Sequence, residues 1–215
     1  MLVAKAAGAI ENANLYENLQ QQYLQTVKSF AQALEAKDSY THGHSQQVMR
    51  YAELIARTIE LPESDISTLR QAAILHDIGK IGIAEELLSL PRQLTVEEYE
   101  EVKTHPLKGR NIISPITALA PVVPVVYHHH EHWDGNGYPE GLRHQEIPLL
   151  ARIIGVADAF DAMTSSRPYR HALAADAAIC ELRRQAGKQF DPQMVIAFIK
   201  NQDKVKTLMR SRGED

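Results

Sequence analysis

Two segments of the sequence place ionisable side chains where a helix is expected to be buried. His76 and Asp77 directly follow the apolar run at 72–75, and Asp158 lies inside the apolar run at 153–160. A carboxylate is costly to bury without a partner, so each aspartate needs a cation or a hydrogen-bond network. Helix capping does not account for Asp158, because hydrophobic residues lie on both sides of it. These positions predict a polar centre in the core, and a metal ion would supply the cation.

The sequence contains ten histidines, and their grouping favours a metal site. A single histidine on a helix is usually a surface residue or a satisfied core residue. Here, however, His129 and His130 close a helix that begins in the apolar segment at 121–127. Imidazoles and carboxylates without thiolates suit Fe, Mn, Co, Ni or Zn better than Ca or Mg. From these residues alone we expect a metal site but cannot count its ligands.

Apolar residues recur at three- and four-residue steps through most of the sequence, which predicts an all-α fold. Runs of alternating β-branched residues bounded by turns, which are typical of strands, are absent. We expect irregular segments at 81–94 and 131–147, and the second directly follows the histidine cluster. Helices are predicted at about residues 12–37, 42–60, 64–78, 95–113, 121–130, 148–164, 173–186 and 191–200.

Composition excludes several classes of protein. With 44% hydrophobic and 23% charged residues, the chain is expected to fold and not to be disordered. Its net charge of -4 argues against binding to duplex nucleic acid or to a membrane surface. Cys180 is the single cysteine, so there is no intrachain disulfide and no thiolate metal site. Because no segment is long and apolar enough to span a bilayer, we expect a cytoplasmic protein without membrane insertion.

Six sequence blocks, in order, resemble the HD-GYP branch of the HD phosphohydrolase superfamily, whose members are bacterial phosphodiesterases for cyclic di-GMP. An isolated HD dipeptide would be weak evidence, but six ordered blocks are specific. The resemblance runs from residue 33 to residue 198 and implies an HD-domain helical bundle. Its blocks are AKDSYTHGHS at 36–45, HDIGKIG at 76–82, THP at 104–106, HHEHWDGNGYPEGL at 129–142, ARIIGVADAFDAMTSSRPYR at 151–170 and FDP at 190–192.

The resemblance also implies roles for individual residues. Asp77 and Lys80 are expected at the reacting phosphate, with Lys80 as the cationic group beside the metals. Substrate contacts are expected from Asp38, Gly137, Tyr138, Asp161, Arg167 and Arg170, and the last of these stands where the family usually has Lys. The implied metal ligands are His44, His76, Asp77, His105, His129, His130 and Asp158.

Seven ligands exceed what one ion needs, and Asp77 in the middle of the set would bridge two ions. Some family members carry a Glu that binds a third ion, but here that position is Tyr40, so two ions are expected. The extra histidine, His128, is predicted to be no ligand, because His129 and His130 precede Glu131 in the family register. Fe or Mn is the expected metal, with Zn, Ni or Co as alternatives.

The expected reaction is hydrolysis of cyclic di-GMP to pGpG or GMP, by attack of a hydroxide that bridges the two ions. One alternative is an HD phosphohydrolase for another nucleotide. Another is a catalytically weak receptor for cyclic dinucleotides, or a protein-interaction module. The retention of all seven ligands, Lys80 and the loop motif favours the enzyme.

Three segments are predicted along the chain. Residues 1–32 would form a linker or dimerisation helix, residues 33–205 the HD-GYP catalytic domain, and residues 206–215 a flexible tail. The segment at 7–19 resembles the closing helix of a GAF sensory domain, and an ordinary coiled-coil linker is an equal alternative. Homodimerisation through the N-terminal helix and docking of other signalling domains are the partner hypotheses, alongside cyclic di-GMP as the small-molecule partner.

Overall fold

A computed structural model of the chain describes residues 43–90, 92–166 and 171–210, together with scattered positions between residues 8 and 30. The described positions between 8 and 30 are helical. Several residues named above lie outside the described residues, and their predicted roles stay predictions. These residues are Asp38, Tyr40, Arg167 and Arg170.

The described part of the chain is built from helices and contains no β-strand, which confirms the all-α prediction. Three short 3-10 helices, at Ile78–Gly82, Thr117–Leu119 and His144–Glu146, lie between the α-helices. From residue 43 onwards the α-helices are α1 (His44–Thr58), α2 (Glu63–Leu75), α3 (Glu85–Leu88), α4 (Val96–Val102), α5 (His105–Ile113), α6 (Val123–His128), α7 (Leu149–Thr164), α8 (Ala175–Gln185), α9 (Pro192–Ile199) and α10 (Gln202–Arg210).

Three predicted segments need correction. The helix predicted at 95–113 is two helices, because Pro106 cannot donate a backbone hydrogen bond and lies in the first turn of α5. The irregular segment predicted at 81–94 contains the short helix α3. The flexible tail predicted from residue 206 is wrong for residues 206–210, which belong to α10. The carbonyl of Leu208 accepts a hydrogen bond from Gln47 Nε2 at 3.2 Å, so α10 is attached to α1.

Three buried aromatic rings join α1, α7 and α9 at the centre of the core. The ring centroids of Tyr51 and Phe160 lie 5.1 Å apart, and those of Phe160 and Phe198 lie 4.8 Å apart. All three side chains are fully buried. Aromatic side chains of this size dominate the burial energy of a core and prefer such edge and offset contacts. This contact fixes α1 against α7, the two helices that carry His44 and Asp158.

The 3-10 helix at 78–82 packs backbone to backbone against α5. A Cβ atom on Gly79 would collide with the carbonyl of His105 and with the amide nitrogen of Gly109. Glycine is therefore required at position 79, because any side chain would push the two segments apart. The close approach places Asp77, which directly precedes this 3-10 helix, beside the start of α5.

Among the residues that the structure describes, no helix has both the length and the apolar character that crossing a bilayer requires.

Candidate metal centre

The seven predicted ligands come together at one place, where the ends of four helices meet the middle of a fifth. His44 is the first residue of α1, and His105 is the first residue of α5. His76 directly follows α2, and His129 directly follows α6. Asp158 projects from the middle of α7. A helix end places a side chain beside the neighbouring helices without interrupting the backbone hydrogen bonds of its own helix, which suits residues that must converge.

The ligand atoms form two groups that share one carboxylate. Within each group, the candidate ligand atoms all lie within 4.8 Å of one another. Asp158 adjoins the smaller group, with its Oδ1 atom 3.3 Å from His44 Nε2 and 4.0 Å from His76 Nε2. Asp77 belongs to both groups, and its role as a bridge between two ions stays a prediction. The groups are Asp77, His105, His129 and His130, and His44, His76 and Asp77.

Backbone carbonyls set the orientation of three of the imidazole rings. In each ring, Nδ1 lies close to the carbonyl oxygen three residues earlier in the chain, at 2.8 Å for His76, 2.8 Å for His105 and 2.7 Å for His129. Because a carbonyl only accepts hydrogen bonds, Nδ1 carries the proton and Nε2 carries the lone pair in the neutral ring. This arrangement is typical of histidines that bind metals through Nε2.

The lone pairs of these rings converge where a cation would fit. His105 Nε2 and His129 Nε2 lie only 3.3 Å apart, although both atoms are acceptors in their neutral rings. His76 Nε2 is buried and has no hydrogen-bond partner among the described residues. Buried polar atoms without partners are rare in native proteins. A transition-metal ion would satisfy these nitrogen atoms, so the donor set fits the predicted metal site.

His44 is held differently from the other histidines. Its Nδ1 atom donates a hydrogen bond to Asp161 Oδ2 at 2.6 Å, which turns Nε2 towards Asp77 and Asp158. Burial by itself would lower the pKa of His44, but hydrogen bonds to Asp158 and Asp161 outweigh it and raise the pKa to about 10. A metal ion at Nε2 would replace the proton that this pKa retains.

Burial lowers the pKa of three other candidate ligands. Burial lowers the pKa of His105 to about 4 and the pKa of His130 to about 3. It also lowers the pKa of His129 well below the usual value for histidine. Since only a neutral imidazole can bind a metal, these shifts favour coordination.

The carboxylates stay ionised despite their burial. Burial opposes ionisation of Asp77, but Lys80 and the surrounding histidines outweigh it and hold the pKa of Asp77 well below its usual value. The Nζ atom of Lys80 lies 2.7 Å from Asp77 Oδ2. For Asp158, a hydrogen bond with His44 likewise outweighs burial and lowers the pKa. The centre therefore offers two anionic ligands and a nearby ammonium group.

A cavity of about 420 Å³ opens onto these side chains. Tyr138 lines it, and the Tyr138 ring centroid lies 4.9 Å from that of His130. Gly137 is not among the described residues that line the cavity, because it packs against the backbone of residues 130–132, where a Cβ atom would collide. Gly137 thus brings the loop close to the ligand pair, and its predicted contact with substrate stays a prediction.

A buried carboxylate that the sequence analysis did not single out holds this loop. Glu131 Oε1 accepts hydrogen bonds from the backbone N–H groups of Glu140 and Gly141 at 2.7 and 3.1 Å, and Oε2 accepts one from Leu142 at 3.1 Å. His128 Nδ1 lies 3.6 Å from Glu131 Oε1, and His128 belongs to neither ligand group of the described residues. The prediction that His128 is no ligand stays a prediction.

Asp161 has a role that the sequence analysis missed. It was predicted to contact the substrate, and it lines the cavity. Its buried carboxylate also accepts the hydrogen bond of His44, and Ser165 Oγ lies 3.3 Å from Asp161 Oδ2. His44 and Asp161 are 117 positions apart in the chain, so no local sequence pattern could have revealed their hydrogen bond.

Comparison with known proteins shows the family to which the chain belongs. The model of the HD domain family matches residues 28–194, which is more than half of the chain. The chain belongs to the HD domain family. The matched range includes all seven candidate ligands, and the HD pair that gives the domain its name is His76 and Asp77, at the point where the two ligand groups meet.

Two curated relatives are similar over most of this chain. A cyclic di-GMP phosphodiesterase of Thermotoga maritima is 38% identical over 185 residues, 84% of this chain and 50% of the relative. A 3′3′-cGAMP-specific phosphodiesterase of Vibrio cholerae is 37% identical over 174 residues, 81% of this chain and 38% of the relative. The chain thus spans half or less of the length of these relatives.

A solved structure supports the fold. The crystal structure of a cyclic GMP-AMP-specific phosphodiesterase of V. cholerae matches with a TM-score of 0.64 at 19% identity, and the match covers 86% of this chain and 52% of that one. At this level of identity the likeness concerns the fold alone. It agrees with the helical HD-domain bundle described above.

Proposed function

We propose that this HD domain is a metal-dependent phosphodiesterase that hydrolyses cyclic di-GMP to pGpG or GMP. The observation that carries the proposal is the pair of ligand groups that share Asp77 at the wall of a cavity. The names of the relatives point to the same class of substrate. A two-ion centre is the recurring solution for the hydrolysis of phosphate esters.

Two ions would be held by the two groups. His105, His129 and His130 would bind one ion, His44, His76 and Asp158 the other, and Asp77 would bridge both. The nitrogen and oxygen donors favour Fe or Mn, with Zn, Ni or Co as alternatives. When bound, the ions would activate water near neutral pH and offset the negative charge on the phosphate.

The chain's own residues would position these groups and the substrate. Backbone carbonyls and Asp161 keep each Nε2 atom pointed at the centre, which spares reorganisation during the reaction. The ammonium group of Lys80, held 2.7 Å from Asp77 Oδ2, places a positive charge where the phosphate charge increases. Tyr138 would contact the substrate from the loop that Glu131 holds. Asp38, Arg167 and Arg170 would complete the substrate contacts.

The test is metal analysis combined with turnover of cyclic di-GMP by protein reconstituted with Fe or Mn. We expect about two ions per chain in the wild type, from the two ligand groups. Asp77→Asn should lose metal from both groups and lower turnover by about 100-fold or more, because it removes the shared anionic ligand. Asp203→Asn makes the same chemical change at an exposed position of α10 and should leave both measurements unchanged. A wild type that binds metal but leaves cyclic di-GMP intact would refute the proposed activity.

Two alternatives have distinct outcomes in the same assays. The first alternative is that 3′3′-cGAMP is the substrate, because some relatives are specific for it. Turnover of a panel that includes 3′3′-cGAMP, cyclic di-AMP and mononucleotides would distinguish this activity from hydrolysis of cyclic di-GMP. A receptor would bind cyclic di-GMP without hydrolysing it in a sample with full metal content. The intact ligand set argues against a receptor.

For the N-terminal helix we propose homodimerisation. Its described positions leave large apolar side chains exposed, among them Leu15, Leu19 and Phe30. Removal of residues 1–30 should halve the mass in solution, as measured by light scattering. An unchanged mass would contradict the dimer.

A further inference from the structure

The cavity extends beyond the metal ligands to an apolar wall. A ligand cavity of about 420 Å³ is in the size range that accepts a whole small organic molecule, and a phosphate group alone would not fill it. Tyr99 and Val102 of α4 contribute to the wall, together with four leucines. The leucines are Leu87, Leu88, Leu90 and Leu94.

These leucines do not serve the hydrophobic core. All four are half-buried, and none belongs to the set of described residues that form or contact the core. They also lie in one short stretch of the chain, next to the cavity that they line. Apolar side chains grouped at a cavity and not packed into the core mark a binding surface.

Tyr99 is the exposed aromatic residue of this wall, with 49% of its surface accessible. The first turn of the helix that carries it is stabilised locally, because Thr95 and Glu98 form a capping box and Arg92 binds Glu98 through both terminal nitrogens at 2.7 Å. The ring lines the cavity, and its exposed part is accessible to a ligand there.

Tyr99 and Tyr138 both line the cavity. The Tyr138 ring lies beside the ligand groups, with its centroid 4.9 Å from that of His130. The ammonium group of Lys103 lies 5.8 Å from the Tyr99 ring centroid and 5.4 Å from the Tyr138 ring centroid. The contacts thus run from His130 to Tyr138 and, through the ammonium group of Lys103, to Tyr99. In a nucleotide whose phosphate lies at the ligand groups, the ribose likewise holds the base away from the phosphate.

We propose that Tyr99 is the surface on which a purine base of the substrate stacks, with Leu90 and Leu94 as the apolar side of the same subsite. This inference rests on the proposed function for its ligand, a cyclic purine dinucleotide. Every base has a π-face, so stacking on a tyrosine recognises the presence of a base more than its identity. Tyr99 therefore contributes affinity for guanine and adenine alike, and selection between them comes from other contacts.

The test compares Tyr99→Ala with Tyr99→Phe in the metal-loaded protein. The affinity is measured with a phosphorothioate analogue of cyclic di-GMP, and kcat and KM are measured with cyclic di-GMP. We expect Tyr99→Ala to raise both Kd and KM about tenfold, since loss of one stacked base is worth about that factor. We expect Tyr99→Phe to stay within about twofold of the wild type, because it keeps the ring. Metal content and kcat should change much less than KM in both variants.

Val96→Ala is the matched control. Val96 lies on the same helix with 73% of its surface exposed and does not line the cavity, so both constants should match the wild type. An unchanged Kd in Tyr99→Ala would overturn the inference. So would an equal loss in Tyr99→Phe, which would assign the effect to the hydroxyl group and not to the ring. A fall in kcat and metal content with KM unchanged would show a structural role only.

Failure of the proposed function gives a different result. If the wild type binds the analogue but does not hydrolyse cyclic di-GMP, the enzyme proposal is wrong, and the Kd values still decide the role of Tyr99. If the wild type does not bind the analogue, both proposals are wrong.

Discussion

At the scale of single residues, the candidate metal centre depends on hydrogen-bonding groups that are not themselves ligands. Asp161 orients His44, and backbone carbonyls orient His76, His105 and His129. A helical protein readily supplies carbonyl partners of this kind, because a histidine just beyond a helix can reach a free carbonyl group of the last turn. They determine which nitrogen of each ring is available, which decides whether a metal can bind.

Glu131 allows a residue-scale prediction. Its replacement by Ala removes the acceptor of three backbone N–H groups in the loop, so we expect the free energy of unfolding to fall by about 3 kcal/mol. Urea denaturation measures the change. Glu140→Ala is the control, because the Glu140 side chain is exposed and only its backbone donates to Glu131. The control should stay within about 0.5 kcal/mol of the wild type. Equal losses in the two variants would refute this role for Glu131.

At the scale of elements, the centre is assembled by close contacts between short segments and long helices. The 3-10 helix at 78–82 touches α5 through glycines, which sets the spacing between Asp77 and His105. Gly155 on α7 lies against the carbonyl of His129, where a Cβ atom would come within 3.3 Å of the oxygen. Small residues at these contacts allow the helix ends to approach closely enough to share an ion.

Gly79→Ala tests the first of these contacts. The added methyl group would collide with the backbone of α5, so we expect about 2 to 3 kcal/mol less stability and a clear loss of bound metal. Gly82→Ala is the control in the same 3-10 helix, because its Cβ atom would meet only the flexible side chain of Lys108. The control should stay within about 1 kcal/mol. Thermal denaturation and metal analysis provide the measurements, and similar behaviour of the two variants would contradict the role assigned to Gly79.

An ion pair between α1 and α2 predicts a pH dependence. Hydrogen bonds from Arg70, at 2.9 Å to Oε2 and 2.7 Å to Oε1, outweigh burial and lower the pKa of Glu53 to about 2. Because the folded-state pKa lies below the unfolded value, the stabilisation is present above about pH 4.5 and is lost as the pH falls towards about 2.

The measurement is the difference in unfolding free energy between the wild type and Glu53→Gln. Solvent screens this partly exposed pair, so we expect the wild type to be more stable by about 1 kcal/mol at about pH 6. The difference should shrink at about pH 3, where Glu53 is largely protonated in the unfolded chain. A difference that is the same at both pH values would exclude Glu53 as its source.

At the scale of the whole molecule, the position of the candidate ligands predicts that metal binding is coupled to folding. The ligands come from α1, α5 and α7 and from the segments after α2 and α6, so the ions would hold together elements that span residues 44–158. Because the unfolded chain has no such arrangement, the free energy of binding stabilises the folded state. Removal of metal should therefore weaken the entire domain.

A chelator should lower the melting temperature of metal-loaded protein by about 5 to 10 °C, the shift expected for an ion present at about 100 times its dissociation constant. Differential scanning calorimetry with parallel metal analysis provides the measurement. Asp77→Asn should show much less of this shift, because it lacks the shared ligand. An unchanged melting temperature in protein whose metal has been removed would disprove the coupling.

Several properties follow from the sequence because they depend on neighbours in the chain. Helical periodicity predicts the all-α fold, since the apolar face of a helix repeats within one or two turns. His76, Asp77 and Asp158 can be assigned to a polar centre because each adjoins an apolar run. The family resemblance added His44 and His105, which no local pattern distinguishes from surface histidines. The structure brings these side chains together, and their roles as metal ligands stay predictions.

Other properties depend on the tertiary structure alone. Three of them are contacts between residues that are distant in sequence or held by packing: His44 with Asp161, Gly79 with α5, and Glu131 with its loop. The fourth is the exposure of Tyr99 at the cavity, which depends on how the helices pack. Such contacts depend on how side-chain volumes fit between helices, and local periodicity carries no record of that fit. The sequence by itself determined that a buried polar centre must exist in a helical protein. Only the tertiary structure decided which atoms face it and which residues hold them there.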